Sequence, residues 1–254
     1  MSLPGYGFSG KPTRPGYGTR RTARIAAELM ARLGYERYGA QGGDWGAHIL
    51  RQLGQIDQEH LIGFHSNMCR AVPPPGTTDP NAGVPPEERR LIAAARQRTA
   101  EGSREGGYGE IQRTRPQTLA YGLNDSPAGQ AAWILEKWRT WSDSGGDPEA
   151  RFTKDELLTN IMIYWVTETG NSSARMYYEA RAEPVHYTEG RVEVPVACAL
   201  FAREIVRWPR RWVEAQYNLV RWTEIPRGGH FAAFEEPLLL AEDVRAFFRD
   251  LLDR

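Results

Sequence analysis

The chain has 254 residues, of which 41% are hydrophobic and 25% charged, and its 32 basic and 32 acidic residues give no net charge. A balanced charge provides no field that favours nucleic acid or an anionic membrane as a partner. No stretch approaches the roughly 18 apolar residues of a transmembrane helix. The opening MSLPGYGFSG lacks the apolar core of a signal peptide. We expect a globular cytoplasmic protein with no membrane segment.

The chain contains two cysteines, Cys69 and Cys198, which are far apart and have no metal-ligand spacing. We expect both to be reduced thiols, as is usual in the cytoplasm.

The first elements alternate between helix and strand. Apolar residues at helical spacing predict a helix over residues 22–33, ended by Gly34. Residues 35–40 are predicted as a strand, and the glycine-rich QGGDWG turn leads into a helix that ends at Gly54. The next strand is predicted over residues 60–68. This order of elements is typical of an α/β fold.

The character of the sequence changes between residues 69 and 190. A proline-rich loop over residues 72–86 is followed by charged stretches with little strand signal. The predicted helices cover residues 87–101, 128–143 and 153–169.

The α/β pattern then resumes. Residues 192–201 and 217–225 are predicted as strands, and residues 236–252 as the final helix. We therefore predict a parallel sheet interrupted by a helical insertion. Residues 1–68 and 191–254 would form the α/β core, and residues 69–190 a helical lid.

The QGGDWG turn places Asp44 between Gly42 and Gly46. Gly-x-nucleophile-x-Gly at a turn from strand to helix is the nucleophile elbow, in which the central side chain projects above the sheet. An ionised aspartate is already a nucleophile, and the backbone amide of Trp45 would donate to an oxyanion. The same residues also fit an ordinary turn whose aspartate caps the helix. The motif alone leaves both interpretations open.

His230 lies in RGGHFAAFEEP, after the last predicted strand, where a base is expected in this fold. The other histidines, His48, His60, His65 and His186, are expected to be structural or on the surface. Glu204 follows the preceding strand and could orient the imidazole. A solvated loop acid is the alternative for Glu204. Its competitors as the orienting acid are Glu214, Glu235 and Glu236, and position favours Glu204.

Six segments together resemble the epoxide hydrolases of the α/β-hydrolase superfamily, of the microsomal and juvenile-hormone type. They are LPGYGFS, QGGDWGAHI, LNDSPAGQAAWILEKWRTWSD, DELLTNIMIYW, SSARMYYE and RGGHFAAFEEP, in that order. The resemblance implies hydrolysis of an epoxide to a vicinal diol through an aspartyl ester, with Asp44 as the nucleophile, Glu204 as the acid and His230 as the base.

The resemblance also implies two lid tyrosines that bind and protonate the epoxide oxygen. EGGYGEIQ provides Tyr108, and SSARMYYE offers Tyr177 and Tyr178. The tyrosine two residues after the arginine is Tyr177, which the motif selects. No metal or organic cofactor is implied. The implied partners are a small hydrophobic epoxide and water. Whether the chain forms a homodimer is left open.

Two other functions remain open. A haloalkane dehalogenase-like hydrolase would also use an Asp-Trp elbow, with Trp45 as a halide donor. A fragment without catalytic activity could bind hydrophobic ligands or a complementary chain. The tyrosines and the Glu204 motif favour the epoxide.

The family pattern has an N-terminal part that this chain does not match. The His-Gly-x-Pro type loop that supplies a second oxyanion donor, and the first four strands, would precede LPGYGFS. We expect an N-terminally truncated chain, with an apolar sheet edge exposed and with low solubility and activity.

Overall fold

The computed structural model describes residues 1–100, 105–185, 187 and 189–253. Its strands form one parallel sheet in chain order, namely β1 (Tyr38–Gly42), β2 (Leu61–Ser66), β3 (Val192–Phe201) and β4 (Tyr217–Ile225). The predicted α/β fold with a parallel sheet is confirmed.

Helices connect and flank these strands. In the described ranges, six α-helices lie between β2 and β3, and they are called the inserted helices below. They are α3 (Pro86–Ala100), α4 (Gly107–Thr114), α5 (Pro116–Asp125), α6 (Pro127–Trp141), α7 (Lys154–Val166) and α8 (Thr169–Ala182). The others are α1 (Thr19–Arg32), α2 (Trp45–Ile56), α9 (Arg210–Gln216), α10 (Ala232–Glu235) and α11 (Pro237–Leu252).

Several predicted boundaries are wrong, and two of them have a clear physical reason. The helix predicted over residues 153–169 ends at Val166, because Glu168 adopts a left-handed φ of 52° that separates α7 from α8. Gly54 does not end α2, which continues to Ile56. A Cβ at Gly54 would lie 2.8 Å from Cγ1 of Val192, so glycine allows the helix to pack closely on the sheet.

The core lies around β3. Residues from Val196 to Phe201 are almost completely buried, as is usual for a parallel strand covered on both faces. Leu50 and Leu53 of α2 and Val213 of α9 belong to the same core cluster as the buried residues of β3.

β1 and β4 are the two edges of the sheet formed by the described residues. β1 exposes Gly39 and Gln41, which are not apolar side chains. The exposed apolar residues nearby lie on and after α1, at Leu29 and Leu33. The exposed residues of β1 itself are therefore not apolar, in contrast to the apolar edge that we expected.

The two cysteines are joined in a disulfide, and the prediction of two reduced thiols is wrong. Cys69 follows β2 and Cys198 lies in the adjacent β3, so the sheet brings Cα atoms 129 residues apart to within 5.9 Å. This separation is in the range that a disulfide spans. The expectation of a cytoplasmic protein, which used the reduced thiols, loses that support. Among the described residues, no helix is both long and apolar enough to cross a bilayer.

A buried polar cluster ties α11 to the sheet. Asp243, which is 5% exposed, accepts from Arg221 at 2.6 and 2.8 Å and from the Thr223 hydroxyl at 2.8 Å. Its other oxygen lies 3.0 Å from Nε2 of His65. Burial by itself raises the pKa of Asp243, but these hydrogen bonds outweigh it and lower the pKa to about 2.

We expect Asp243→Asn to lower the free energy of unfolding by about 3 kcal/mol at neutral pH, because the groups that surround residue 243 then lack a negative charge to pair with. A carboxylate whose folded pKa is lowered stabilises the fold above its unfolded pKa of about 3.9. That stabilisation is lost as the pH falls towards 2. Urea unfolding of both proteins between pH 7 and pH 2.5 should therefore show a difference that narrows below about pH 4. Asp250→Asn is the control, since this exposed carboxylate lies 3.9 Å from the same Arg221. Equal losses in the two variants would contradict the assignment.

Candidate active site

The QGGDWG turn lies between β1 and α2. Asp44 has φ 46° and ψ −124°, a conformation that non-glycine residues rarely adopt, and its side chain makes no capping hydrogen bond to α2. The conformation therefore differs from that of a helix-capping aspartate. The carboxylate faces a cavity of about 540 Å³, and its side chain is 48% exposed there. The geometry matches a nucleophile elbow.

Two of the glycines in this turn have another group close to the position of a Cβ atom. A Cβ at Gly42 would lie 3.1 Å from the carbonyl carbon of Gly46, and a Cβ at Gly43 would lie 2.5 Å from the Asn67 side chain. A Cβ at Gly46 would meet no described atom within 4 Å. The requirement for a small residue at the second glycine of the motif is therefore not seen here. The steric constraint lies on Gly42 and Gly43.

The three residues predicted as nucleophile, base and orienting acid are within hydrogen-bonding distance of one another in the order Asp44–His230–Glu204. His230 Nδ1 is 2.8 Å from Oε1 of Glu204, and Nε2 is 3.1 Å from Oδ2 of Asp44. Glu204 is completely buried directly after β3, where its Oε1 also accepts from the Ile205 amide at 2.7 Å. The sheet thus brings together residues separated by 160 positions from Asp44 to Glu204. Glu214 instead pairs with Arg210 on α9.

The His230 loop is held by the inserted helices. The His230 amide donates to the carbonyl of Trp141, the last residue of α6, at 3.0 Å. Glu235 accepts from the backbone amides of Asp143, Gly229 and Phe231 at 2.7, 3.0 and 3.1 Å. Glu235, which the sequence offered as a competing acid, therefore binds backbone on both sides of this junction. These bonds fix the loop that carries the imidazole.

The carboxylates on both sides change the titration of His230. Burial by itself lowers the pKa of His230, but Glu204 and Asp44 outweigh it and raise the pKa well above its usual value. For Asp44, burial raises the pKa, whereas His230, His48 and the Trp45 backbone amide lower it, and the net pKa is lowered. The resting site is therefore an ionised carboxylate beside an imidazolium.

Two tyrosines from different inserted helices face this carboxylate. Tyr108 of α4 and Tyr177 of α8 line the same cavity of about 540 Å³ as Asp44 and His230, and their rings meet edge to face at 5.6 Å. Tyr178 is 49% exposed and does not line the cavity. Of the two candidates in SSARMYYE, Tyr177 is therefore the one at the site.

Burial raises the pKa of both hydroxyls, so both carry a proton at neutral pH. For Tyr108, burial is the largest effect and the net pKa is about 12. For Tyr177, burial and then the charge of Asp44 raise the pKa well above its usual value. Both tyrosines can act as hydrogen-bond donors to an oxygen in the cavity.

Several cavity residues were not singled out from the sequence. Tyr6 and Tyr164 line the cavity, and burial is the largest cause of the raised pKa of each. Both lie in quoted segments, LPGYGFS and DELLTNIMIYW, so their motifs could have identified them. The remaining lining combines amide and aliphatic side chains with five aromatic ones, which are Trp133, Trp138, Trp141, Phe231 and Phe234. Lys137 also lines the cavity and brings a cation to its wall.

The other histidines have varied surroundings. His48 lies close to the site, with Nδ1 2.7 Å from the Tyr187 hydroxyl, and burial lowers its pKa to about 4. His65 belongs to the buried Asp243 cluster. His60 is exposed beside Asp57, and His186 lies outside the described residues. Within the described ranges, no group of three His, Cys, Asp or Glu side chains is arranged to hold a metal ion.

Comparison with known proteins agrees with this architecture. The sequence profile of the alpha/beta hydrolase fold family matches residues 1–183. The chain belongs to this family. A crystal structure of juvenile hormone epoxide hydrolase from the silkworm Bombyx mori superimposes with a TM-score of 0.91 at 38% identity, covering 99% of this chain and 63% of that one.

Sequence relatives of this alpha/beta hydrolase are also similar along nearly its whole length. A protein of Stigmatella aurantiaca is 47% identical over 251 residues, which cover 98% of this chain and 55% of the relative. Epoxide hydrolase 1 of Sus scrofa is 39% identical over 264 residues, which cover 97% of this chain and 58% of that protein. The chain thus spans a little over half the length of these relatives.

Proposed function

We propose that this chain hydrolyses small hydrophobic epoxides to vicinal diols through an ester on Asp44. The observation that carries the proposal is the line of Asp44, His230 and Glu204 facing Tyr108 and Tyr177 across one cavity. The similarity to epoxide hydrolases supports it. An aromatic cavity wall suits an apolar substrate.

In the first step, a carboxylate oxygen of Asp44 attacks one epoxide carbon. The carbon–oxygen bond of the ring breaks, and the electron pair goes to the epoxide oxygen. Tyr108 and Tyr177 donate hydrogen bonds to this oxygen, and a proton from one hydroxyl neutralises it. Asp44 now holds a hydroxyalkyl ester and has lost its negative charge.

In the second step, water attacks the carbonyl carbon of the ester. His230 takes a proton from the water, while Glu204 holds the ring through Nδ1. Ester formation removes one of the two carboxylates that raise the pKa of His230. The imidazolium therefore gives its proton to solvent more readily once the ester has formed, and the neutral imidazole is the base that takes the proton of water. The Trp45 amide donates to the oxyanion. When the intermediate collapses, the bond to the substrate oxygen breaks, and the imidazolium returns its proton to that oxygen, which leaves as part of the diol.

We also propose that residues 1–68 and 191–254 act as the core and residues 69–190 as the lid. The core part supplies Asp44, Glu204 and His230, and the lid part supplies Tyr108 and Tyr177. Substrate would then react between the two parts.

Styrene oxide and 1-chlorobutane together test the proposed reaction. The protein is incubated with each, followed by chromatography for the diol, chloride titration and intact-mass measurement for a covalent adduct. We expect diol or an adduct from the epoxide and no chloride from the chloroalkane. Chloride release without diol would instead indicate a dehalogenase. No product or adduct from either, with ligand binding intact, would indicate a binding module.

We expect Glu204→Gln to slow hydrolysis of the ester by about 10²- to 10⁴-fold, because the imidazole loses its charged partner. Glu204 raises the pKa of His230, so its loss should move the acid limb of the hydrolysis rate to lower pH. The measurement is the single-turnover decay of the ester against pH. Glu214→Gln is the matched control and should leave both rate and limb unchanged. The reverse pattern would make Glu214 the orienting acid.

A further inference from the structure

Lys137 of α6 is a buried cation in the cavity wall. The residue is 9% exposed, and its Nζ lies 4.8 Å from the centroid of the Tyr108 ring and 5.5 Å from that of Trp141. Both distances are in the range of cation–π contacts. None of the steps proposed above uses this residue.

Two carboxylates hold the ammonium in this position. Nζ donates to Oε2 of Glu105 at 2.8 Å and to Oε1 of Glu136 at 2.5 Å. The Thr140 hydroxyl also donates to the same oxygen of Glu105 at 3.1 Å. Since Glu105 is itself held by Thr140, its contact with Lys137 keeps the ammonium beside the Tyr108 ring.

The contact treats the two tyrosines differently. The Tyr177 ring packs edge to face against Trp45 at 4.8 Å and against Tyr108, while the cation–π contacts of Lys137 are with Tyr108 and Trp141. A cation on the face of a phenol interacts more strongly once the ring carries the charge of a phenolate. The phenolate of Tyr108 is thus stabilised relative to that of Tyr177.

We propose that Lys137 is a positioning residue that makes Tyr108 the tyrosine that transfers its proton to the epoxide oxygen, while Tyr177 holds that oxygen by a hydrogen bond. This inference rests on the proposed epoxide hydrolysis. It assigns separate tasks to two hydroxyls that the mechanism otherwise treats alike.

The step balances in charge and in bonds. Attack by Asp44 opens the ring, and the oxygen takes the proton of Tyr108, so the negative charge moves from Asp44 to the Tyr108 oxygen. Lys137 stabilises that charge while the ester exists. Hydrolysis of the ester by water regenerates Asp44 with one surplus proton, which returns to the phenolate.

Other groups around Tyr108 act in both directions. After burial, which raises its pKa most, Tyr177 and Arg113 lower the pKa, whereas Asp44 and Glu105 raise it. When the phenolate forms, Asp44 has become an ester, so one of the two negative charges that raise the pKa of Tyr108 is gone.

Lys137→Met, which removes the charge and keeps the length, is compared with Lys137→Arg and with Lys154→Met, which removes an exposed lysine of α7. Single-turnover formation of the Asp44 ester with styrene oxide is followed by mass. We expect Lys137→Met to slow it by roughly 2- to 30-fold, the range of a cation–π contact. Lys137→Arg should stay closer to wild type, and Lys154→Met should equal it.

A second measurement needs no substrate. 3-Fluorotyrosine is incorporated at position 108 or 177, and its fluorine resonance is titrated in the Lys137 variants. We expect Lys137→Met to raise the pKa at position 108 more than at 177. Glu105→Gln should have the opposite sign, lowering the pKa at position 108 and speeding ester formation.

The two measurements separate the two hypotheses. If wild type forms no ester but the titration behaves as expected, the proposed function fails while Lys137 still biases Tyr108. If ester forms but Lys137→Met shifts positions 108 and 177 equally, or if Arg and Met at position 137 behave alike, the role of Lys137 is overturned. Thermal melting of each variant identifies a loss that comes only from unfolding.

Discussion

His230→Gln is expected to trap the ester on Asp44, so that the protein gains the mass of one substrate molecule and turns over about 10²- to 10⁴-fold more slowly. The reason is that the two steps need different groups. Attack needs the ionised Asp44 and the tyrosine hydroxyls, whereas hydrolysis needs a base 3.1 Å from the nucleophile. Glutamine keeps hydrogen-bonding capacity near Glu204 but cannot accept the proton of water.

The measurement for His230→Gln is intact mass at several times after mixing with styrene oxide, followed by peptide mapping. The adduct should map to the peptide that contains Asp44. His60→Gln is the matched control, because this exposed histidine pairs with Asp57 and does not line the cavity. A His230 variant that stays unmodified and still turns over would show that the base is another group.

Asp44→Ala is expected to abolish the adduct and to lower turnover by about 10⁴-fold or more, since removal of a nucleophile leaves only binding and polarisation of the substrate. The alanine variant loses the reacting oxygen itself. Asp125→Ala removes an exposed carboxylate at the end of α5 and should leave activity unchanged. A diol formed equally well by the Asp44 variant would point to direct attack of water.

One turnover of the unmodified protein in ¹⁸O-labelled water is a second test of the ester on Asp44. Water attacks the carbonyl carbon of the ester, so the heavy oxygen should enter the Asp44 carboxylate and be absent from the diol. Mass analysis of the Asp44 peptide and of the product reads both positions. Label in the first-formed diol would contradict the ester.

The sequence by itself determined the alternation of strands and helices and the residues at the sheet's edge. β3 and β4 have the predicted bounds, and for β3 the reason is that a buried strand is a nearly continuous run of apolar residues. The turn at Asp44 and the loop at His230 also carry local signatures, and the structure brings both side chains to Glu204. Patterns of this kind depend on neighbours in the chain.

Tertiary contacts decided what local patterns could not. β1 begins at Tyr38, three residues later than predicted, because a short strand with two glycines is defined by pairing with β2. The short helices α4 and α5 escaped prediction, and both pack against α8, which stabilises helices too short to be stable alone.

Two further features were invisible in the sequence for the same reason. Cys69 and Cys198 are bonded only because β2 and β3 are adjacent, and Lys137 lies on Tyr108 only because α4 and α6 approach each other. Contacts between residues far apart in the chain depend on the packing of whole elements. The sequence therefore identified which groups could react, and the fold decided which of them meet.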